Sequence, residues 1–411
     1  METTALITND AVVLGLLCAI LGFVFWTERS AHPFWRGFYK YVPALLLCYF
    51  IPALFNSFGI IDGEKSALYQ VSSRYLLPAT LVLLTLSVDL PAIRRLGPKA
   101  LFLFLTGTVS IILGGPLTIL IWSQFSPETV SGDTWRGMAT IAGSWIGGGA
   151  NQAAMKEVFQ VDNDLFGTMV AVDVIVANLW MAVLLYLAGR SRGLDLKSGA
   201  DTSAIAELRA RVERFQAEHA RIPTLADLIF IMAVGFGLTA LSHALAGPLV
   251  AWFETMGPWA ARMSLTSGFF WIVVLATTFG LLLSFTPAKQ LEGAGASKVG
   301  SAMLYILVAS IGMHMNLRSI FTNPALFGVG LTWIGFHAAS MLLMARWLRA
   351  PVFYMAVGSQ ANVGGAASAP VVASAFHPAL APVGVLLAVL GYALGTYGGW
   401  ISGQLMRIVA P

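Results

Sequence analysis

The sequence predicts an all-α polytopic membrane protein: two inverted repeats of about five transmembrane helices, each with a Gly-rich broken or re-entrant segment. Three observations predict it. First, hydrophobic residues make up 57% of the 411 residues and charged residues only 11%, against about 25% charged in a soluble domain. So little charge cannot clothe a water-exposed surface of this size, and the bilayer becomes the main solvent. Second, apolar runs long enough to cross a hydrocarbon layer recur along the chain. Third, two apolar stretches are interrupted in their middle by GSWIGGGANQAAMK (143–156) and GSQANVGGAASAP (358–370).

Taken in order, the runs cover about 11–26, 41–58, 75–89, 100–122, 164–187, 226–252, 266–285, 300–316, 325–345 and 380–403, with the Gly-rich segments at about 135–156 and 352–376. The opening METTALITND holds Glu2 and Asp10 but no Lys or Arg. It lacks the basic region of a cleavable signal, so 11–26 is expected to stay as a helix. Cys18 and Cys48 both lie inside apolar runs and read as packing residues.

Segment 188–222 holds much of the charge and divides the chain into a first membrane repeat (1–187), a charged cytoplasmic linker (188–222) and a second, inverted repeat (223–411). Within the linker, Ile205, Leu208, Val212 and Phe215 recur at helical spacing, with the i,i+4 pairs Glu207/Arg211, Arg209/Glu213 and Arg214/Glu218, which predicts an amphipathic helix.

Charge gives the topology. Arg29, Arg36 and Lys40 follow the first span, and Arg94, Arg95 and Lys99 follow the third. Lys and Arg favour cytoplasmic loops. Both termini are therefore expected outside, in a cell (inner) membrane, with the Gly-rich segments dipping in and returning on opposite faces. The net charge of +4 then reflects these loops rather than a nucleic-acid partner.

The halves echo each other. LSVDLPAIRRLGPKALF (86–102) aligns with GMHMNLRSIFTNPALF (312–327), pairing Asp89 with Asn316 and Ile93 with Ile320. Each block precedes a span, then a Gly-rich segment containing Gly-Ser, then a final span. Interrupted hydrophobic segments at corresponding positions of inverted halves are the best sequence pointer to a secondary-transporter site.

The physics of the interruptions supports that pointer. Each Gly weakens a helix by about 1 kcal/mol relative to Ala. Unpaired backbone in lipid costs several kcal/mol per group. The breaks must therefore be buried in protein or line a wet cavity, where freed N–H groups bind anions and freed carbonyls bind cations. The candidate substrate-binding residues are Ser144, Gly148, Gly149, Asn151 and Gln152 in the first segment and Ser359, Gln360, Asn362, Gly364 and Gly365 in the second. Oxygen ligands for a metal such as Na⁺ are expected from Asn151, Asp173 and Asn362.

The motifs S-W-I-G-G-G-A-N and Q-A-N-V-G-G-A-A-S-A-P resemble those of the YjcL-like integral membrane proteins, a family of unknown function. Its second motif reads A-N-I-G-G-P-A-T-A; here Ala361-Asn362-Val363-Gly364-Gly365 matches it, with Ala366 where Pro is usual. The resemblance covers nearly the whole chain. The family is similar in outline to bacterial sodium/glutamate and citrate symporters, and more distantly to bile-acid and sodium/proton transporters. That likeness implies inverted five-span repeats with re-entrant segments that form the site, and a homodimer formed through a scaffold.

Asp173 is the one carboxylate deep in an expected span. Such residues are functional candidates by default. Cation coupling is expected from Asp173, Asn178 and Thr396. The function these features predict is cation-coupled (Na⁺ or H⁺) transport of a small anionic organic solute by alternating access. The alternative is a sodium/proton-type antiporter with no organic substrate. The chain lacks H-E-x-x-H, G-x-S-x-G and ATP-binding motifs, which argues against an enzyme; no cofactor beyond Na⁺ as coupling ion is expected.

Overall fold

The computed structural model describes residues 6–39, 42, 44–63, 65–94, 96–200, 223–315, 323–377 and 380–411. The expected linker helix over 205–215 and the repeat position Asn316 lie outside the described residues.

The described chain is helical. The principal helices are α1 (Asp10–Glu28), α2 (Ala44–Ser57), α3 (Leu77–Leu86), α4 (Pro98–Trp122), α5 (Thr134–Val158), α6 (Asn163–Gly189), α7 (Leu225–Glu254), α8 (Gly268–Leu283), α9 (Ala296–Gly312), α10 (Ala325–Trp347), α11 (Val352–Val363), α12 (Gly365–Phe376) and α13 (Ala381–Val409). Among the described residues six of them, α1, α4, α6, α7, α10 and α13, are long and apolar enough to cross a membrane. Helix α8 with the following Pro287–Ala294 helix, bent by 97°, makes a possible seventh, and α2 and α9 are shorter apolar helices.

Local signals set several boundaries. Asn9 caps α1, its side chain accepting from the N–H groups of Ala11 and Val12. Thr224 and Asp227 form a reciprocal capping box at the start of α7. Proline at the first turn opens α4, where its missing N–H costs nothing.

Two groups of helices emerge from the packing. Helix α3 is buried among α7, α8 and α9: a Cβ on Gly280 would sit 2.5 Å from the Val82 carbonyl, one on Gly300 3.1 Å from Leu83 Cβ, and one on Gly235 3.3 Å from Leu83 Cγ. These form a scaffold. Helices α4, α6, α10 and α13 instead surround the two Gly-rich segments and form a core.

Both Gly-rich segments are hairpins. The first is α5 itself, broken at Gly147 (φ −137°, ψ 15°) and Gly148 (φ 73°, ψ −175°). Its ends lie together: the rings of Trp135 and Phe159 are 5.6 Å apart, and Arg136 Nη1 donates to the Phe159 carbonyl at 2.8 Å. The second is α11 and α12, broken at Gly364 and Gly365, with Gly365 at φ 58°. Phe353 and Phe376, near its two ends, have ring centroids 5.3 Å apart.

The hairpins enter from opposite faces. Helix α6 starts at Asn163, beside the base of the first hairpin, and its 27 residues span about 40 Å at 1.5 Å per residue. Beyond its far end, Asp195 Oδ1 accepts from the Val352 N–H at 2.8 Å, at the base of the second hairpin. That bond caps α11, whose own preceding residue, Pro351, supplies no side-chain cap. Burial pushes the Asp195 carboxyl above its ordinary range, and the Val352 N–H opposes the shift.

Candidate functional site

The tips of the two hairpins meet in the middle of the core. A Cβ built on Gly365 would lie 3.8 Å from Gly148 Cα. Both residues have positive φ, a region that glycine enters without steric cost. The breaks and the close approach therefore share one cause.

Each hairpin is fastened to a span through the Ser of its Gly-Ser pair. Ser144 Oγ donates to Asp173 Oδ2 at 2.6 Å, Trp145 Nε1 to Asp173 Oδ1 at 2.6 Å, and Gln152 Nε2 to Asp173 Oδ2 at 3.0 Å. One buried carboxylate on α6 thus holds both arms of the first hairpin. In the second, Ser359 Oγ accepts from Trp180 Nε1 at 2.8 Å and bonds His337 Nε2 at 2.8 Å, while His337 Nδ1 meets Ser110 Oγ at 2.8 Å. This network joins α4, α6, α10 and α11.

The two asparagines make the same kind of clamp. Asn151 Nδ2 donates to Gly147 O, four residues back, and to Tyr392 O on α13, while its Oδ1 accepts from Thr396 at 2.6 Å. Asn362 Nδ2 donates to Gly358 O, four residues back, and to Phe104 O on α4, while its Oδ1 accepts from Thr108 at 2.8 Å. Thr396 bonds Thr277 of the scaffold at 2.9 Å. A carbonyl and a threonine one helical turn apart on the neighbouring helix thus satisfy each amide.

These bonds locate the residues singled out in the sequence. Ser144, Gln152 and Asp173 come together, as do Asn151 and Thr396, and as do Gln360 and Ser368 across the second tip (2.7 Å). The expected metal ligands Asn151, Asp173 and Asn362 do not converge on one point: each oxygen set is engaged by different donors. Nor does Asn178 join Asp173. Its amide donates back to the Val174 carbonyl at 2.7 Å, as expected for a side chain about 140° around the helix from Asp173. Gln360 differs from the rest. It is buried, and its Oε1 has no hydrogen-bond partner.

Two cavities flank the hairpins. One, of about 540 Å³, is lined by Arg29, Glu292, Lys298, Tyr305, Tyr392 and Ala366. Ala366 follows Gly365 directly, and the Tyr392 ring would lie 3.6 Å from a Cβ on Gly148, so this cavity reaches both tips. The other, of about 890 Å³, lies at the base of the first hairpin, between Arg136, Lys156 and Gln160 on the core side and Tyr69, Arg74 and Ser267 on the scaffold. They lie towards opposite ends of α1. Helix α1 starts beside the larger cavity, with Asp10 bonded to Ser66 (2.7 Å), three residues from Tyr69, and ends at Arg29 in the smaller one.

A family model described as "Protein of unknown function (DUF819)" matches residues 15–409. The chain belongs to this family. The uncharacterized membrane protein YjcL of Bacillus subtilis (strain 168) is 26% identical over 365 residues, covering 85% of this chain and 86% of that protein. The family match takes in both hairpins and both cavities of this DUF819 protein.

Sequence reasoning passed over several residues of this DUF819 site. Trp180, Ser110, Thr108 and Thr277 complete the networks, and nothing in their own sequence context marks them. Helix α13 did carry a signal. Gly391, Gly395, Gly399 and Gly403 recur every fourth residue, the spacing of small residues that lets membrane helices approach closely. The stripe lies against the first hairpin: Cβ atoms on Gly395 and Gly399 would sit 2.5 and 3.0 Å from the Cα atoms of Gly147 and Gly143.

Proposed function

We propose that this DUF819 protein is a cation-coupled secondary transporter of a small anionic organic solute, working by alternating access. The observation that carries the reading is the meeting of two glycine hairpin tips, inserted from opposite faces, with cavities towards opposite ends of α1. The smaller cavity reaches both tips and the larger one lies at the base of the first hairpin, so a solute crossing the membrane passes along that hairpin and the tip contact. The resemblance in outline to sodium/glutamate and citrate symporters agrees with it, as does a division of the chain into inverted halves.

Cations gather around the face of the smaller cavity: Arg29, Lys99, Arg190, Arg346 and Arg349 lie at helix ends there. By the positive-inside rule this face is cytoplasmic, the smaller cavity opens inward, and both termini lie outside an inner membrane. The core then moves against the scaffold, and the Thr396–Thr277 and Tyr397–Thr278 (2.7 Å) bonds lie on the surface that slides. For a coupling Na⁺, the buried Gln360 Oε1 beside the second tip is an oxygen with capacity to spare, and carbonyl and amide oxygens are the ligands such an ion takes.

A second reading, the sodium/proton antiporter, is favoured by Asp173, a carboxylate buried inside a span and touching both arms of a hairpin. One experiment separates the two. Purified protein is screened by thermal shift against organic anions, with and without Na⁺. The transporter reading expects at least one organic anion to raise Tm, and more so with Na⁺. A Tm that responds to pH and Na⁺ but to no organic anion overturns it in favour of the antiporter.

A further inference from the structure

The larger cavity holds a concentration of positive charge, of which Arg136 also ties the ends of the first hairpin through its Nη1 bond to the Phe159 carbonyl. Arg74, Arg136, Lys156 and Arg407 line it, with Glu157 as the carboxylate among its lining residues. It opens on the face where few cations are expected, because positive residues are retained on the cytoplasmic side.

Lys156 is engaged, its Nζ 3.8 Å from Glu157 Oε1 and donating to the Tyr69 hydroxyl at 2.6 Å; the crowding is among the arginines. Arg136 and Arg262 lie within electrostatic range of Arg407, and Arg407 Nη1 donates to the Arg262 carbonyl, a neutral acceptor. Arg136 Nε meets Asp133 at 2.8 Å, but that carboxylate is 71% exposed, where ion pairs contribute little. Glu157 is engaged by the Tyr69 hydroxyl. Across the cavity, the Arg74 guanidinium lies 4.7 Å from the centroid of the Phe269 ring. Arg74 stands in a π-helical turn, Ser72–Leu76, a rare geometry that occurs frequently at functional sites.

Like charges held together in a walled cavity repel, and the repulsion is relieved when an anion enters. Guanidinium groups present paired donors that match the two oxygens of a carboxylate or phosphate. We propose that this cavity is an anion-selecting site for a solute carrying two or more negative charges, as carboxylate or phosphate groups, gripped between Arg136 and Arg407 on the core side and Arg74 on the scaffold. The site rests on the transporter reading and deepens it. A multiply charged solute bridges core and scaffold at the outer mouth and draws them together there.

The test uses full-length protein in nanodiscs and isothermal titration with citrate, inorganic pyrophosphate and acetate. Citrate or pyrophosphate is expected to bind more tightly than acetate, and which of the two binds tells carboxylate from phosphate. Binding should weaken steeply as sodium chloride is raised, a readout that needs no variant. Arg136→Gln and Arg407→Gln should each weaken it about tenfold or more, the loss of one charge-assisted contact, and Arg407→Lys should recover part of the loss. Overturning results are equal affinity for acetate, no binding of either multivalent anion, or unchanged binding in both glutamine variants. Uptake into proteoliposomes keeps the two readings apart. Tight, arginine-dependent binding without uptake supports the site and contradicts carriage. Uptake of a multivalent anion that is unaffected in the arginine variants supports carriage and overturns the site.

Discussion

At the residue scale, Asp173 decides how the polar groups of this core are understood. Its two oxygens accept three hydrogen bonds from Ser144, Trp145 and Gln152. A carboxylate satisfied in this way acts as a fastener for both arms of the first hairpin. In Asp173→Asn, one acceptor oxygen becomes an NH₂ group that faces a donor. The expected cost is about 1–3 kcal/mol for the buried group left unsatisfied, read as a lowered Tm in detergent. A variant with wild-type Tm that has lost Na⁺-dependent proton exchange would instead make Asp173 the ion carrier. The sequence singled out this residue, because a lone acid in an apolar run is visible. Its partners are 29, 28 and 21 residues away, and nothing in a linear reading shows whether they fill the carboxylate or leave it open to a cation. The same applies to Asn151 and Asn362. Their positions beside the glycines were legible, while the carbonyls of Tyr392 and Phe104 that occupy them were not.

At the element scale, the hairpins were the most legible feature, because a Gly cluster inside an apolar run has few physical outcomes. It must bend, and the bend must be hidden from lipid. What hides it is α13. Along this helix the glycine stripe brings the backbone against the first hairpin, with Gly391 against the Ile146 carbonyl (2.5 Å from its would-be Cβ) and Gly403 against the Phe159 ring. Gly395→Ala places a methyl 2.5 Å from Gly147 Cα, and backbone cannot rotate aside as a side chain can. The expected destabilisation is about 1–3 kcal/mol, typical of overpacking. It should appear as a lower Tm and faster proteolysis, whereas Gly237→Ala, at a position with open space around it, should melt like the parent. The bend of 97° after α8, by contrast, was not foreseen: the run over 266–285 looks like an uninterrupted span, and the Pro287 that opens the next helix lies just beyond it.

At the scale of the whole molecule, composition alone established a membrane protein, since 11% charge cannot cover so long a chain in water. Hydropathy located the apolar runs in order, but of the ten expected spans six helices, or seven with the bent pair, are long and apolar enough to cross a membrane among the described residues. The cavities were not legible in the sequence. Arg74, Arg136 and Arg407 are separated by up to 333 residues, as their numbers show, and only the folded chain brings them to one wall. The central claim is that two cavities on opposite faces are separated by the first hairpin and its contact with the tip of the second. The most direct measurement is sided labelling. In a Cys18→Ser/Cys48→Ser background, reconstituted in one orientation, single cysteines replace Ala366 and Ser267, and a membrane-impermeant maleimide is added to one side at a time. The account predicts that Ala366→Cys reacts only from the face that carries Arg29 and Arg349, and Ser267→Cys only from the other. Reaction of both from the same face, or no reaction of Ala366→Cys from either, would contradict it.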